Sequence, residues 1–165
     1  MVLRRERFLA AAIILALSSL GCGVYSFSGS MRSGMKSIAV PVFENKSVEY
    51  GIAEELTAGV VDRFVSDNTL KVVPRAKADV VLEATIQSYE RVAYTYDEND
   101  QVQEYKVNIS VAARLAKSDG GVVWEDGSLT AFGIYKADAE TEDEGKSRAI
   151  EKIAEDMVNR TVRDW

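Results

Sequence analysis

The chain has 165 residues, with no histidine and a single cysteine, and its 20 basic and 26 acidic side chains give a net charge of −6. A zinc site needs a cluster of Cys, His and carboxylate ligands and a nucleophilic triad normally takes a His as its base, so neither can be built here. A lone cysteine also excludes a disulfide within the chain, and the acidic balance argues against nucleic acid as a partner.

The chain opens with Arg4, Arg5 and Arg7 and continues from Phe8 to Leu20 as an apolar run broken only by Ser18 and Ser19. A basic start, a short apolar run and small residues form the pattern of a secretory signal peptide, too short for a mature spanning helix of ~20 residues. Residues 1–21 are therefore expected to be an address. The segment Ser19-Leu20-Gly21-Cys22 resembles the bacterial lipobox, with Ser19 where leucine usually stands. That resemblance implies cleavage after Gly21 and lipidation of Cys22 through a thioether to diacylglycerol, with palmitate-type acyl chains as the anchor. Gly23, in place of an aspartate, implies delivery to the outer membrane. The bland alternative for Cys22 is a small buried hydrophobe. Without residues 1–21, which hold three Arg and one Glu, the totals fall to 17 basic and 25 acidic, a net of −8.

Residues 22–36 are rich in Gly and Ser and read as a lipidated flexible tether, leaving 37–165 as one domain. From Ser37 to Phe43, "SIAVPVF" reads as a strand in which Pro41 marks an edge or a bulge. Ile52, Leu56, Val60 and Phe64 recur at i, i+4 and predict a helix ended by Asp67-Asn68. "TLKVV" is a short strand stopped by Pro74, expected to lie parallel to the first. Two longer runs follow, with Leu82, Ala84 and Ile86 on one face of the first and Tyr105, Val107, Ile109, Val111, Ala113 and Leu115 on one face of the second. Joined by "DEND" at 97–100, they form an antiparallel hairpin whose other face, with Glu104, Lys106, Asn108, Ser110 and Arg114, is wet. The tip is too short of glycine for a calcium loop, since the sixth place is Val102. "SDGG" turns the chain into a strand from Val122 to about Tyr135, with a bulge or bend expected at Gly127 and Gly133. Thr141 and Glu144 match a capping box, and Ile150, Ile153, Ala154, Met157, Val158 and Trp165 mark the apolar face of a final helix. The expected fold class is α+β: two helices packed on one face of a mixed four- to five-stranded sheet, in the order β-α-β-β-β-α.

Charge is unevenly placed. Residues 22–80 hold seven of each sign, and 81–165 hold ten basic and eighteen acidic. The basic residues Arg32, Lys36, Lys71, Arg75 and Lys77 fall in the balanced half, where they are either protection of a strand edge or a phosphate-binding patch. The carboxylates suggest no facing pair of the kind that acid/base hydrolysis requires, no enzyme is read, and no cofactor is implied.

As a set, "CGVYSFSG", "MKSIAVPVFENKSVEYGIAEELTAGVVDRF", "ADVVLEATIQSY", "YDENDQVQEYKVNISVAARL", "VVWEDGSLTAFGIY" and "DMVNRTVRDW" resemble the LPS-assembly lipoprotein LptE family across nearly all of residues 22–165. The strand "IAVPVFEN" and its helix are also similar to outer-membrane lipoproteins of the curli-secretion and penicillin-binding-protein-activator type. The LptE resemblance implies a plug and assembly factor for the LptD β-barrel, engaged in lipopolysaccharide transport to the outer leaflet. The partners it implies are an LptD-type barrel, lipopolysaccharide, and the outer membrane through a lipid anchor at its periplasmic face. The alternative is a lipoprotein that docks on and activates a periplasmic peptidoglycan synthase or a secretion assembly. By charge count, the candidate lipopolysaccharide contacts are Lys71, Arg75 and Lys77.

Overall fold

The computed structural model of the chain describes residues 35–162. The expected signal peptide, Cys22, Arg32, most of the expected tether and Trp165 lie outside the described residues. Strands β1 (Ser37–Ala39) and β2 (Glu44–Asn45) precede helix α1 (Ile52–Asp67). Next come β3 (Lys71–Val72), a 3-10 turn (Arg75–Lys77), the long strands β4 (Val80–Tyr96), β5 (Val102–Lys117) and β6 (Val122–Lys136), and helix α2 (Glu142–Val162).

The sheet runs β3-β1-β4-β5-β6, with β2 also paired to β4. β1 is parallel to β3 and to β4, and β4, β5 and β6 form an antiparallel meander. The mixed α+β sheet with two helices is as expected, but it has six strands, and four of them separate the helices where the expected order had three. The first expected strand divides in two around Pro41. Ala39 pairs with Val81 and Glu44 with Thr85, so one residue more lies on the first segment than on β4, and the bulge holds the proline that cannot donate to a ladder.

The i, i+4 row of α1 is fully buried, the inward positions of β4 from Val80 to Ile86 and of β5 from Val107 to Leu115 are buried, as is the Ile153 to Val158 face of α2, and together they make one core against which Tyr89 and Tyr105 pack partly buried. Met35, read from sequence as tether, is buried in it. Asn68 ends α1 in the left-handed conformation at φ 58°, its N–H bonded to the Phe64 carbonyl at 3.0 Å. The capping box of α2 forms as expected: the Thr141 N–H donates to Glu144 at 2.7 Å and the Glu144 N–H to the Thr141 hydroxyl at 3.4 Å. Buried Thr57 accepts from the Phe43 N–H at 3.0 Å and donates to the Ala53 carbonyl, tying the bulged segment to α1.

Gly127 sits at a register shift between β5 and β6, as expected of it, but Gly133 does not: it stays in register opposite Val107. Its glycine is required by α2, which crosses β6 so closely that a Cβ at 133 would lie 1.8 Å from the Gly145 carbonyl oxygen. The same helix closes the free edge of β6. Lys152 donates to the Phe132 carbonyl at 2.8 Å, Arg148 donates to that of Ile134, and Arg160 pairs with Asp126 at 3.0 Å. Two helical cations thus occupy edge carbonyls that would otherwise be open to another strand, and a third pairs with a carboxylate of β6.

Candidate interaction surfaces

Because both helices share the core on one side of the sheet, the other side is uncovered except at its β1 end, where Ala39, Ala78 and Val81 form a second small buried cluster. Elsewhere on this face most outward positions of the strands are polar. Across the register, Glu83, Arg114 and Glu125 form one row, Ser88, Ser110 and Thr130 another, and Glu90, Asn108 and Phe132 a third. Arg75 reaches Glu83 at 2.8 Å, so charges alternate across four elements. This end of the face is a shallow groove of about 470 Å³ bounded by Pro41, Glu44, Arg114 and Asp126. The wet hairpin residues Lys106, Asn108, Ser110 and Arg114 lie on this face of the sheet as expected, Arg114 alone of them in the groove, and Glu104 accepts from Thr95 at 3.1 Å.

Sequence reasoning missed the aromatic part of this face. Lys106 lies 5.1 Å from the Tyr94 ring and 5.6 Å from that of Phe132, and Lys152 approaches Phe132 at 4.5 Å. The cations stack on half-exposed rings instead of standing alone in water. Alternation at 92, 94 and 96 could have signalled it. Beyond them the tip is a tight turn, with Asp97 accepting from the amides of Asn99 and Gln101 at 2.8 Å each.

The candidate contacts Lys71, Arg75 and Lys77 are only partly brought together. Lys71 opens the edge strand β3 and Lys77 ends the 3-10 turn, both exposed near the first described residues. Arg75 instead turns up the sheet to Glu83. Between them Asp79 accepts from the Lys36 amide at 2.8 Å, the Ser37 amide at 3.0 Å and the Ser37 hydroxyl at 2.8 Å, and these bonds, that from Lys36 first, hold its carboxyl below the usual range.

At the other end, the helices meet over a buried lysine. Lys146, 6 % exposed, lies 3.1 Å from Glu49, 3.2 Å from Glu55 and 3.0 Å from Asp143. Beside it Tyr89 donates to Glu142 at 2.7 Å, and Arg91 pairs with the same carboxylate at 3.0 Å while stacking on Tyr105. Burial, and then the bond to Glu142, push the Tyr89 hydroxyl well above its ordinary pKa. Among the described residues there is no cluster of three or more His, Cys, Asp or Glu placed to hold a metal, and no helix is long and apolar enough to cross a membrane.

A family model described as LptE, lipopolysaccharide-assembly, matches residues 35–165. No curated protein matches. Among solved structures, the hypothetical protein CT253 of Chlamydia trachomatis superposes with a TM-score of 0.57 at 10 % identity, covering 77 % of this chain and 95 % of that one. The protein XCC0632 of Xanthomonas campestris gives 0.56 at 16 % identity, covering 79 % and 88 %. PelC of Paraburkholderia phytofirmans gives 0.50 at 16 %, covering 78 % and 90 %. At such identities these likenesses concern the fold.

Proposed function

The chain belongs to the LptE family of lipopolysaccharide-assembly proteins, and from that premise we propose that it is an outer-membrane lipoprotein, anchored through Cys22, that plugs and assembles an LptD-type β-barrel for lipopolysaccharide transport to the outer leaflet. Its role is non-catalytic. The observation that carries the reading is the uncovered polar face of the long meander: a water-filled barrel lumen is lined by polar side chains and calls for hydrogen bonds more than for apolar area. Co-purification from detergent-solubilised outer membranes tests it. A large β-barrel in the complex supports the plug, and a peptidoglycan synthase or secretion component in its place would favour an activator.

The anchor has its own test. Each buried methylene contributes ~0.8 kcal/mol of membrane affinity and stable anchoring takes more than one chain, so Cys22→Ala is expected to release the protein into the soluble periplasmic fraction. Mass spectrometry of the mature N-terminus checks it, and an unmodified wild-type thiol would overturn the assignment.

Lys71, Arg75 and Lys77 are the proposed lipopolysaccharide contacts, since phosphorylated lipid is repelled by the acidic second half of the chain. Reversing all three to Glu should weaken binding of lipopolysaccharide aggregates at low salt by more than about tenfold. The far-ultraviolet spectrum should not change, because the one ion pair lost, Arg75 to Glu83, is exposed and such pairs contribute only ~0–1 kcal/mol. Binding that survives reversal leaves these residues the lesser role of edge protection.

A further inference from the structure

The edges of the sheet are guarded unequally. At β6 the side chains of Lys152 and Arg148 occupy edge carbonyls, and β2 and β3 are only two residues long, with exposed Lys71 opening β3. The middle of β4 has no such guard. β1 and β2 pair with β4 only as far as Ile86, whose carbonyl accepts from the Lys46 amide at 2.9 Å, and beyond it β4 is paired to β5 alone among the described residues. From Ser88 to Ala93 its register to β5 is unbroken, with bulges only at either end, and the run holds neither lysine nor proline.

Exposed apolar side chains flank this open edge. Val92 is 40 % and Tyr94 46 % exposed on the strand, and Val48 and Tyr50 are almost wholly exposed in the loop that leaves β2. That loop is held in place. The Asn45 side chain donates to the Glu49 carbonyl at 2.7 Å and accepts from the Ser47 amide at 2.8 Å, and Glu49 meets Lys146 at 3.1 Å. Charge is unbalanced across the edge, because Arg91 on the helix side is paired with Glu142, whereas Glu90 on the open side has no cation within ion-pair distance among the described residues. The edge also continues the open face: Glu90 begins the row through Asn108 to Phe132, and Val92 the row through Lys106 to Ile134.

We propose that the run from Ser88 to Ala93 is where an extended segment of the barrel adds to the sheet as a further strand, with a basic residue opposite Glu90 and an apolar one, two positions away, opposite Val92. The inference deepens the plug reading and rests on it. Docking in a lumen takes water from the outward N–H and C=O groups of this run, and buried backbone groups left unpaired are costly. An added strand satisfies the whole row at once. The strands of a closed barrel wall have no free edge to offer, so the segment is a loop turned into the lumen. A second copy of this chain is a poorer fit. Opposite residues of an antiparallel pair share a face, so a two-fold pairing that uses more than half of this run passes through Glu90 or Arg91 and sets that charge against its own copy.

Amide hydrogen exchange tests it, read on peptides covering 88–94 in two samples. One is the free chain from residue 22 with Cys22→Ala, and the other is the complex purified from detergent-solubilised outer membranes. The outward amides of the run should exchange at least about fivefold more slowly in the complex, the factor that one hydrogen bond of ordinary net strength contributes. Contact through side chains alone would leave them unchanged. Glu90→Lys, which sets a cation against the partner's basic residue, should return most of the lost exchange. A barrel that co-purifies while these amides exchange as in the free chain overturns the edge proposal and leaves the plug standing, whereas absence of any barrel overturns both. Slowing that appears in the free chain as its concentration rises would give the edge to a second copy and would also overturn the proposal.

Discussion

Gly133→Ala is expected to lower the unfolding free energy by about 3 kcal/mol or more, at the upper end of overpacking costs, and with it the melting temperature by about 10 °C. The added methyl would lie 1.8 Å from the Gly145 carbonyl oxygen, 2.8 Å from its carbon and 3.0 Å from the Ala149 nitrogen. Those atoms flank the i to i+4 hydrogen bond of α2, so the methyl does not meet a side chain that can rotate away. Relief requires the helix to lift off β6, and with it go the Lys152 and Arg148 bonds to the edge carbonyls. Gly145→Ala is the contrast. Its methyl would meet Tyr135 Cδ1 at 2.6 Å, an atom of a buried ring stacked on Tyr105 and not of backbone, and the helix gains ~1 kcal/mol of propensity from losing a glycine, which offsets part of the clash. Thermal denaturation of the two variants should therefore separate them clearly, and equal losses would mean that the helix rides more loosely on the strand.

The two glycines show what could be read in the sequence. Both interrupt an alternating run, and alternation alone assigns both to a bulge. Gly127 is one, because two residues of β6, Gly127 and Ser128, there face one of β5, Ala112. Gly133 answers to Gly145, twelve residues further on, and no local pattern carries that information. The helices were legible because their apolar rows, capping box and Asp67-Asn68 stop are local. β2 was not, because two residues paired in parallel to a distant strand leave no period to detect, and Pro41 marked the bulge before it without saying what followed.

The same division holds for the surfaces. That Glu83 and Arg114 face away from the core follows from alternation, but their alignment in one row with Glu125 depends on two registers. Likewise the separation of Arg75 from Lys71 and Lys77 depends on Glu83 lying beside the 3-10 turn. Charge counting found the basic residues and could not tell a bound cation from a free one.

Lys146 was invisible for the same reason, since a lysine in the first turns of an acidic helix reads as solvated. Its three carboxylates come from the loop before α1, from α1 and from α2, so it joins the start of both helices. Lys146→Met keeps the stem in place and leaves Glu49, Glu55 and Asp143 facing one another. Fully buried pairs cost ~3–5 kcal/mol to break; these carboxylates reach water, so the expected loss is about 2 kcal/mol, and Lys146→Glu should cost more by adding a fourth. Burial on its own lowers the pKa of this ammonium, but the bonds to Asp143, Glu49 and Glu55 outweigh it and hold the pKa well above the ordinary lysine value. A folded pKa above the unfolded one gives stability that is complete below the unfolded value of ~10.4 and fades as pH rises toward the folded one. The difference between wild type and Lys146→Met, measured by denaturant titration, should accordingly stay constant from neutral pH to about 10 and shrink above it. A difference that instead vanished near neutrality would show that the lysine is held by its stem and not by its charge.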